Sequence, residues 1–233
     1  MADTLSNMDN GGLIVAVDGP SGTGKSTMCR ALAKRLDAKY VDTGAMYRVA
    51  TLAVLRAGVD PADTAKVIEA TADLPLEVSA DPDSTEVLFA GEDVKAEIRG
   101  AEVTKHVSAV SAIPEVRVNL VELQRKLARE SGRAIVEGRD IGTVVLPDAP
   151  AKVFMTASAE VRAKRRYDQD VAAGREADFD AVLADVQRRD EADSSRATSP
   201  LKPADDAVLV DTSEMTPDEV LAALTEVVER SAR

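Results

Sequence analysis

Apolar positions along this chain follow two rhythms. Leu13-Ile-Val-Ala-Val17 is a short unbroken run that predicts a strand buried on both faces, and Ala134-Ile-Val-Glu137, Lys152-Val-Phe-Met155 and Ala207-Val-Leu-Val210 are further short apolar strand candidates. A further short strand is predicted near Tyr40-Val41. Between them the apolar residues recur at helical spacing. Met28, Ala31, Leu32 and Leu36 predict a helix over about 25–36, and Met46, Val49, Ala50, Ala53 and Val54 predict the next. Helical stretches are also predicted at about 101–131, with Pro114 near a helix start, and at about 160–172, 179–190 and 217–228. Strands alternating with helices predict an α/β fold whose mostly parallel sheet is covered on both faces.

The rhythm breaks between about Gly58 and Gly100. Pro61, Pro75 and Pro82 fall there, and two strand-like runs, Leu76–Val78 and Glu86–Phe89, flank the turn-prone Asp81-Pro-Asp-Ser84. A small lobe inserted at about 58–112 is expected. The first residues, Met1 to Asn10, are polar and carry neither a basic start nor an apolar run. Residues 1–12 are therefore expected to be a disordered tail before one domain over 13–233.

Composition narrows the possibilities. Of 233 residues, 45% are hydrophobic and 30% charged, which supports a packed core built without Trp. The formal charge of −12 argues against nucleic-acid or anionic-membrane partners. No stretch reaches the roughly 20 apolar residues of a membrane helix. The single cysteine, Cys29, fits a reducing compartment. A soluble cytoplasmic protein is expected, and, with nothing demanding a dimer interface, a monomer.

The chemistry begins after the first strand. Gly19-Pro-Ser-Gly-Thr-Gly-Lys-Ser26 matches G-x-x-x-x-G-K-[ST] at every fixed position, between a predicted strand and a predicted helix. Its glycines let backbone N–H groups turn around a phosphate, and the helix start adds its positive end. Lys25 reaches the β- and γ-phosphates, and the Ser26 hydroxyl is a candidate Mg²⁺ ligand. A GTPase switch is disfavoured, because the chain has no Asn-Lys pair and its only Asp-x-x-Gly is Asp9 to Gly12. Arginines in or beside predicted loops and helix ends suit a protein that holds two phosphorylated substrates together. The run Lys164-Arg-Arg166 before Gly174 suggests a lid at about 162–178, hinged to exclude water.

More specific segments follow. Asp18-Gly-Pro-Ser-Gly-Thr-Gly-Lys-Ser-Thr27, Asp42-Thr-Gly-Ala-Met-Tyr-Arg48, Gly91-Glu-Asp-Val94, Glu97-Ile-Arg99, Glu137-Gly-Arg-Asp-Ile-Gly-Thr-Val-Val145 and Pro147-Asp-Ala-Pro150 resemble the bacterial cytidylate kinases, of the nucleoside monophosphate kinase family. So do Arg189-Asp190 and the segment from Arg196 to Leu201. The resemblance implies a P-loop three-layer fold with five parallel strands, an acceptor-binding lobe and a short lid. It implies transfer of the γ-phosphoryl group of ATP to CMP or dCMP, with Mg²⁺ as cofactor and nucleotides as the only partners.

The resemblance also implies roles. Gly19, Pro20, Ser21, Gly22, Thr23, Gly24, Lys25, Ser26 and Thr27 would hold ATP. Arg48, Arg139 and Arg196 would hold the acceptor phosphate, with the Thr43 hydroxyl. Ser108, Arg117 and Asp140 would read cytosine. Arg189 and Asp193 would contact the sugar, and Tyr47 would pack on it. Lys25, Arg139, Arg162, Arg166 and Arg196 would act at the transferred group, with Arg162 and Arg166 on the lid. Two departures stand out: Thr43 where serine is common, and Glu137 where some members have a shorter acid. Taken singly, several of these residues also have structural readings: Tyr47 as core, Asp193 as an ion pair, Asp140 paired with Arg139. A kinase acting on UMP, AMP or a shikimate-like alcohol, and a nucleotide-dependent regulator without catalysis, stay open on the residues alone.

Overall fold

A computed structural model describes residues 12–231. The tail expected over 1–12 therefore lies, but for Gly12, outside the described residues. Five parallel strands form the main sheet: β1 (Ile14–Asp18), β2 (Lys39–Asp42), β6 (Ala134–Gly138), β7 (Ala151–Thr156) and β8 (Val208–Asp211), in the order β2-β6-β1-β7-β8. Period-2 alternation on β1 sorts the core. Val15 and Val17 face helices α1 (Lys25–Arg35) and α8 (Pro217–Ser231) through Leu32, Leu224 and Val228. Ala16 faces the other layer, made by α2 (Thr43–Arg56), α4 (Ala101–Ala112) and α5 (Pro114–Ser131), through Met46, Val110 and Leu120. With Leu32 fully buried, Leu32→Ala would cost about 2–5 kcal/mol.

The interruption holds more structure than its sequence announced. Helix α3 (Thr64–Ala70) precedes a separate antiparallel sheet of β3 (Leu76–Val78), β4 (Val87–Phe89) and β5 (Glu92–Asp93). A third apolar cluster, including Val49, Leu52, Val87 and Ile98, ties this sheet to α2. The two remaining α-helices, α6 (Ala159–Ala172) and α7 (Phe179–Ser194), are joined by residues 173–178, where Gly174 has φ +70°. Helix α7 runs further than the expected 179–190, and its last turn carries Asp193. Among the described residues, no helix is long and apolar enough to cross a membrane.

Strand β1 has β6 on one side and β7 on the other, so consecutive strands part at its carboxyl end. Open α/β sheets bind ligands in the crevice outside such a switch point. Asp18, the last residue of β1, accepts the N–H groups of Ile141 and Gly142 at 2.8 Å each. Burial nonetheless pushes its carboxyl up to about 6. It thus caps the single π-turn Ile141–Val145, which directly follows Arg139 and Asp140.

Candidate active site

The phosphate loop leaves β1 in a conformation that requires glycine. Gly19 has φ +144°, and a Cβ there would stand 2.0 Å from the Met155 carbonyl oxygen. Gly24 (φ +90°) precedes α1, and no side chain caps that helix. The first-turn N–H groups are left for an anion, aligned with the helix dipole. Lys25 Nζ donates to the Pro20 carbonyl oxygen at 2.7 Å and to Thr23 Oγ1 at 3.4 Å. Burial, and then the charge of Arg139, lowers the pKa of Lys25. A phosphate beside it would oppose both effects.

Glu137 is the penultimate residue of β6, between β1 and β2. Its Oε1 accepts from Ser26 Oγ at 2.6 Å and from the Tyr40 hydroxyl at 2.8 Å. Its Oε2 is buried with no partner among the described residues. Burial, then Asp42, raises its pKa. A divalent cation answers this arrangement: it would satisfy the orphaned oxygen and restore the ionised form, with the Ser26 hydroxyl at hand. Asp18 is committed to its two backbone N–H groups, so Glu137 is the acid that faces the loop. Next to it, Thr43 Oγ1 donates to the Glu137 carbonyl oxygen at 2.7 Å. A Cβ on Gly138 would lie 2.7 Å from that hydroxyl.

Arginines cover the facing wall. Arg48 Nη1 donates to the Ile98 carbonyl oxygen at 2.8 Å and to Thr104 Oγ1 at 3.0 Å. Asp193 accepts from Arg139 Nε at 3.0 Å and from Arg196 Nη2 at 2.7 Å, so it forms an ion pair in this structure. Arg189 Nε and Arg196 Nε are buried without partners among the described residues. Burial brings Arg48 and Arg189 down to about 10, helped by neighbouring arginines. Incompletely paired guanidinium groups of this kind favour a bound anion.

Deeper in the cleft, Asp140 Oδ2 accepts from Arg117 Nη2, and both side chains are buried. The reading that paired Asp140 with Arg139 is therefore corrected. Arg139 turns to Asp193, while Arg117 reaches Asp140 from α5. The Arg117 guanidinium lies 5.1 Å from the centroid of the Tyr47 ring. Ser108 is buried on the cleft wall.

One cleft of about 920 Å³ is lined by Lys25, Ser26, Thr27, Thr43, Tyr47, Arg48, Ser108, Arg117, Arg139, Asp140, Arg162, Arg166, Arg189, Asp193 and Arg196. From the loop, Ser21, Gly22 and Gly24 line it too, whereas Gly19, Pro20 and Thr23 lie behind. Arg162 sits lower than a lid residue would. It is buried on the first turn of α6, donates to the carbonyl oxygens of Ala157 (2.9 Å) and Ser21 (3.2 Å), and forks onto Asp190 at 2.9 and 2.5 Å. Arg166 is freer, 4.0 Å from Asp170.

Sequence reasoning assigned no role to Tyr40 or Ser111, and singled out the segments holding Arg165 and Asp190 without the contacts these two make. Tyr40 holds Glu137. Asp190 holds Arg162. Arg165 donates to the Thr23 carbonyl oxygen at 3.3 Å. Ser111 accepts from Arg196 through Oγ (2.9 Å) and from Arg117 through its carbonyl oxygen (3.2 Å). Only Ser111 left a usable signal, its i+3 spacing from Ser108 on one helix face.

A Gly-rich loop opening a helix at the switch point of a parallel sheet, faced by a wall of arginines, places this chain among the P-loop kinases. The fold is shared with a gluconokinase from Sinorhizobium meliloti at TM-score 0.50 and 16% identity, over 95% of this chain and 94% of that one. The family profile described as cytidylate kinase matches residues 15–230. The chain is 72% identical to a cytidylate kinase of Corynebacterium glutamicum and 64% identical to one of Corynebacterium diphtheriae, in each case over 97% of this chain and 98% of the relative. The chain belongs to the cytidylate kinase family.

Proposed function

We propose that this protein transfers the γ-phosphoryl group of ATP to CMP or dCMP, giving ADP and CDP or dCDP. One observation carries the reading: a single cleft holds both a phosphate loop and, deeper in, a buried Arg117–Asp140 pair. The pair suits cytosine, whose exocyclic amine donates to a carboxylate and whose carbonyl oxygen and ring nitrogen accept from arginine. Uracil presents an oxygen where the amine stood, leaving Asp140 against an acceptor. Family membership supports the same acceptor.

The remaining roles are those that the family resemblance implies. Arg48, Arg139 and Arg196, with Thr43, take the acceptor phosphate. Arg189 and Asp193 take the sugar, Tyr47 packs on it, and Ser108 joins the base site. The loop over 19–27 takes the triphosphate, with Lys25 on its β- and γ-phosphates. The segment 58–112 acts as the acceptor lobe and 162–178 as the lid, where Arg166 serves the transferred group and Arg162 holds the loop in shape. Ser26, with Glu137 behind it, would hold Mg²⁺. Bound there, that ion would supply charge neutralisation for the triphosphate. Transfer is direct and in line, without a covalent intermediate. The acceptor phosphate is already anionic at neutral pH and needs no strong base; positioning and charge stabilisation supply the rate. The buried Cys29 suits a cytoplasmic enzyme, and a monomer suffices for a cleft built from one chain.

The test is ADP release from ATP and Mg²⁺ with CMP, dCMP, UMP, AMP, GMP and shikimate offered separately. Turnover with CMP and dCMP that far exceeds UMP is expected. A preference for any other acceptor would discard the base-site roles.

A further inference from the structure

Behind the phosphate loop, a chain of contacts leads from Ser26 and Glu137 to two residues, Tyr40 and Arg30, that none of the roles above uses. Ser26 and Arg30 lie four residues apart on one face of α1. Ser26 bonds Glu137, and Glu137 also accepts from the hydroxyl of Tyr40, a fully buried residue in a chain with three tyrosines. The Arg30 guanidinium stacks over the Tyr40 ring at 4.3 Å from its centroid. The same guanidinium donates to the Pro82 carbonyl oxygen at 3.1 Å and to that of Ser84, in the turn joining β3 to β4. Two further links close the contact. Tyr40 N–H donates to the Ala80 carbonyl oxygen at 2.9 Å, and Lys34 pairs with Asp83 on the surface.

We infer that Tyr40 and Arg30 are positioning residues for the nucleotide site: Tyr40 aims Glu137 at Ser26, and Arg30 locks Tyr40 to the small sheet of the acceptor lobe. The inference rests on the proposed kinase function and deepens it. Glu137 has two oxygens. Ser26 and Tyr40 together fix one of them, which sets where the unpaired Oε2 faces. Without the Tyr40 hydroxyl the carboxylate keeps one donor and can rotate about its last bond. Without Arg30 the ring keeps its hydroxyl but loses its tie to the turn. The acceptor lobe thereby touches the acid that would face the metal, through two side chains and no substrate.

Calorimetric binding of a non-hydrolysable ATP analogue, with and without Mg²⁺, tests this without turnover. Tyr40→Phe keeps the ring under Arg30 and removes only the hydroxyl. It is expected to lose about tenfold of the affinity that Mg²⁺ adds, while metal-free analogue binding and CMP binding stay within about twofold. Arg30→Met is expected to lose about threefold of the same gain. The double variant is expected to lose less than the product of the two, because both act on Glu137. If Arg30→Met does not fold, Arg30→Lys, which keeps the charge but not the fork, is read the same way and shows a smaller loss. An undiminished Mg²⁺ gain in Tyr40→Phe overturns the inference, and a multiplicative double variant overturns the Arg30 link. A wild type that binds the analogue but does not phosphorylate CMP would instead overturn the kinase reading and leave the binding result to stand.

Discussion

Replacing Asp140 by Asn tests the base-reading account most sharply, because the change keeps the shape and removes the charge. Asp140 is 3% exposed and Arg117 5%, so the two form a buried ion pair. Asn can still accept from Arg117, but as a neutral group. The lost charge assistance amounts to about 1.5 kcal/mol of stability. Asp140→Ala strands the Arg117 charge and should cost about 3–5 kcal/mol, roughly 10 °C in Tm for a domain of this size. The specificity effect is separate. An Asn amide turned about its last bond offers a donor to the uracil oxygen, where the carboxylate offered only repulsion. The ratio of kcat/KM for CMP over UMP should therefore fall by about 10- to 100-fold in Asp140→Asn, from a change of roughly 1.5–3 kcal/mol. The assay is ADP release with each acceptor in parallel, alongside a thermal melt. An unchanged ratio with a lowered Tm would refute the reasoning and leave Asp140 as a structural partner of Arg117.

The other predictions concern the loop and its supports. Lys25→Ala should lower kcat by about a thousandfold or more while leaving CMP affinity within about threefold, since it removes charge stabilisation at the transferred group; steady-state kinetics and CMP titration check both. Gly19→Ala drives a Cβ toward the Met155 carbonyl oxygen and should abolish ATP binding or folding, read by nucleotide titration and circular dichroism. Asp18 has a folded-state pKa raised from 3.8 to about 6 by burial, so its contribution to stability is fully present below 3.8 and is lost as pH rises to about 6. Urea melts at pH 4 and pH 7 should show wild type losing roughly 2 kcal/mol relative to Asp18→Asn across that window; parallel pH dependence in the two proteins would mean that Asp18 keeps an ordinary pKa.

The main sheet was legible because its central strands β1, β6 and β7 are largely buried on both faces and read as apolar runs; β8 reads the same way although it is an edge strand that leaves Val208 and Leu209 exposed. Helices α1, α2 and α8 declare themselves by 3.6-residue spacing against that sheet. The inserted lobe was legible only as an interruption. Helix α3 is seven residues long and buries a single side chain fully, Val67, while β5 has two residues, so neither carries a periodic signal. The π-turn after Asp140 was hidden for another reason: it is held by Asp18, more than a hundred residues earlier. The loop residues of the site followed from a local motif whose chemistry is backbone geometry. The arginine partners did not, because pairings such as Arg117 with Asp140 and Arg139 with Asp193 join different elements across the sheet. Sequence spacing left Asp140 beside Arg139, and only the tertiary fold carries α5 to it.

The two acids at the ends of neighbouring strands show how one cleft divides structural and chemical work. Asp18 and Glu137 are both buried and both have raised pKa values, so neither observation alone separates them. Their partners do. Asp18 uses both oxygens on backbone N–H groups and thereby orients the turn following Arg139 and Asp140. Glu137 uses one oxygen on two hydroxyls and leaves the other unsatisfied beside the phosphate loop. The same distinction runs through the arginines. Arg162 has its guanidinium occupied by carbonyls and Asp190, and supports the loop from below. Arg189 and Arg196 keep unpaired nitrogens and depressed pKa values, in a chain whose net charge is −12. An acidic protein that keeps incompletely paired cations in this cleft carries a desolvation cost there, which the apolar clusters on both faces of the sheet offset. A bound phosphate would relieve that cost locally, by supplying acceptors that protein groups do not.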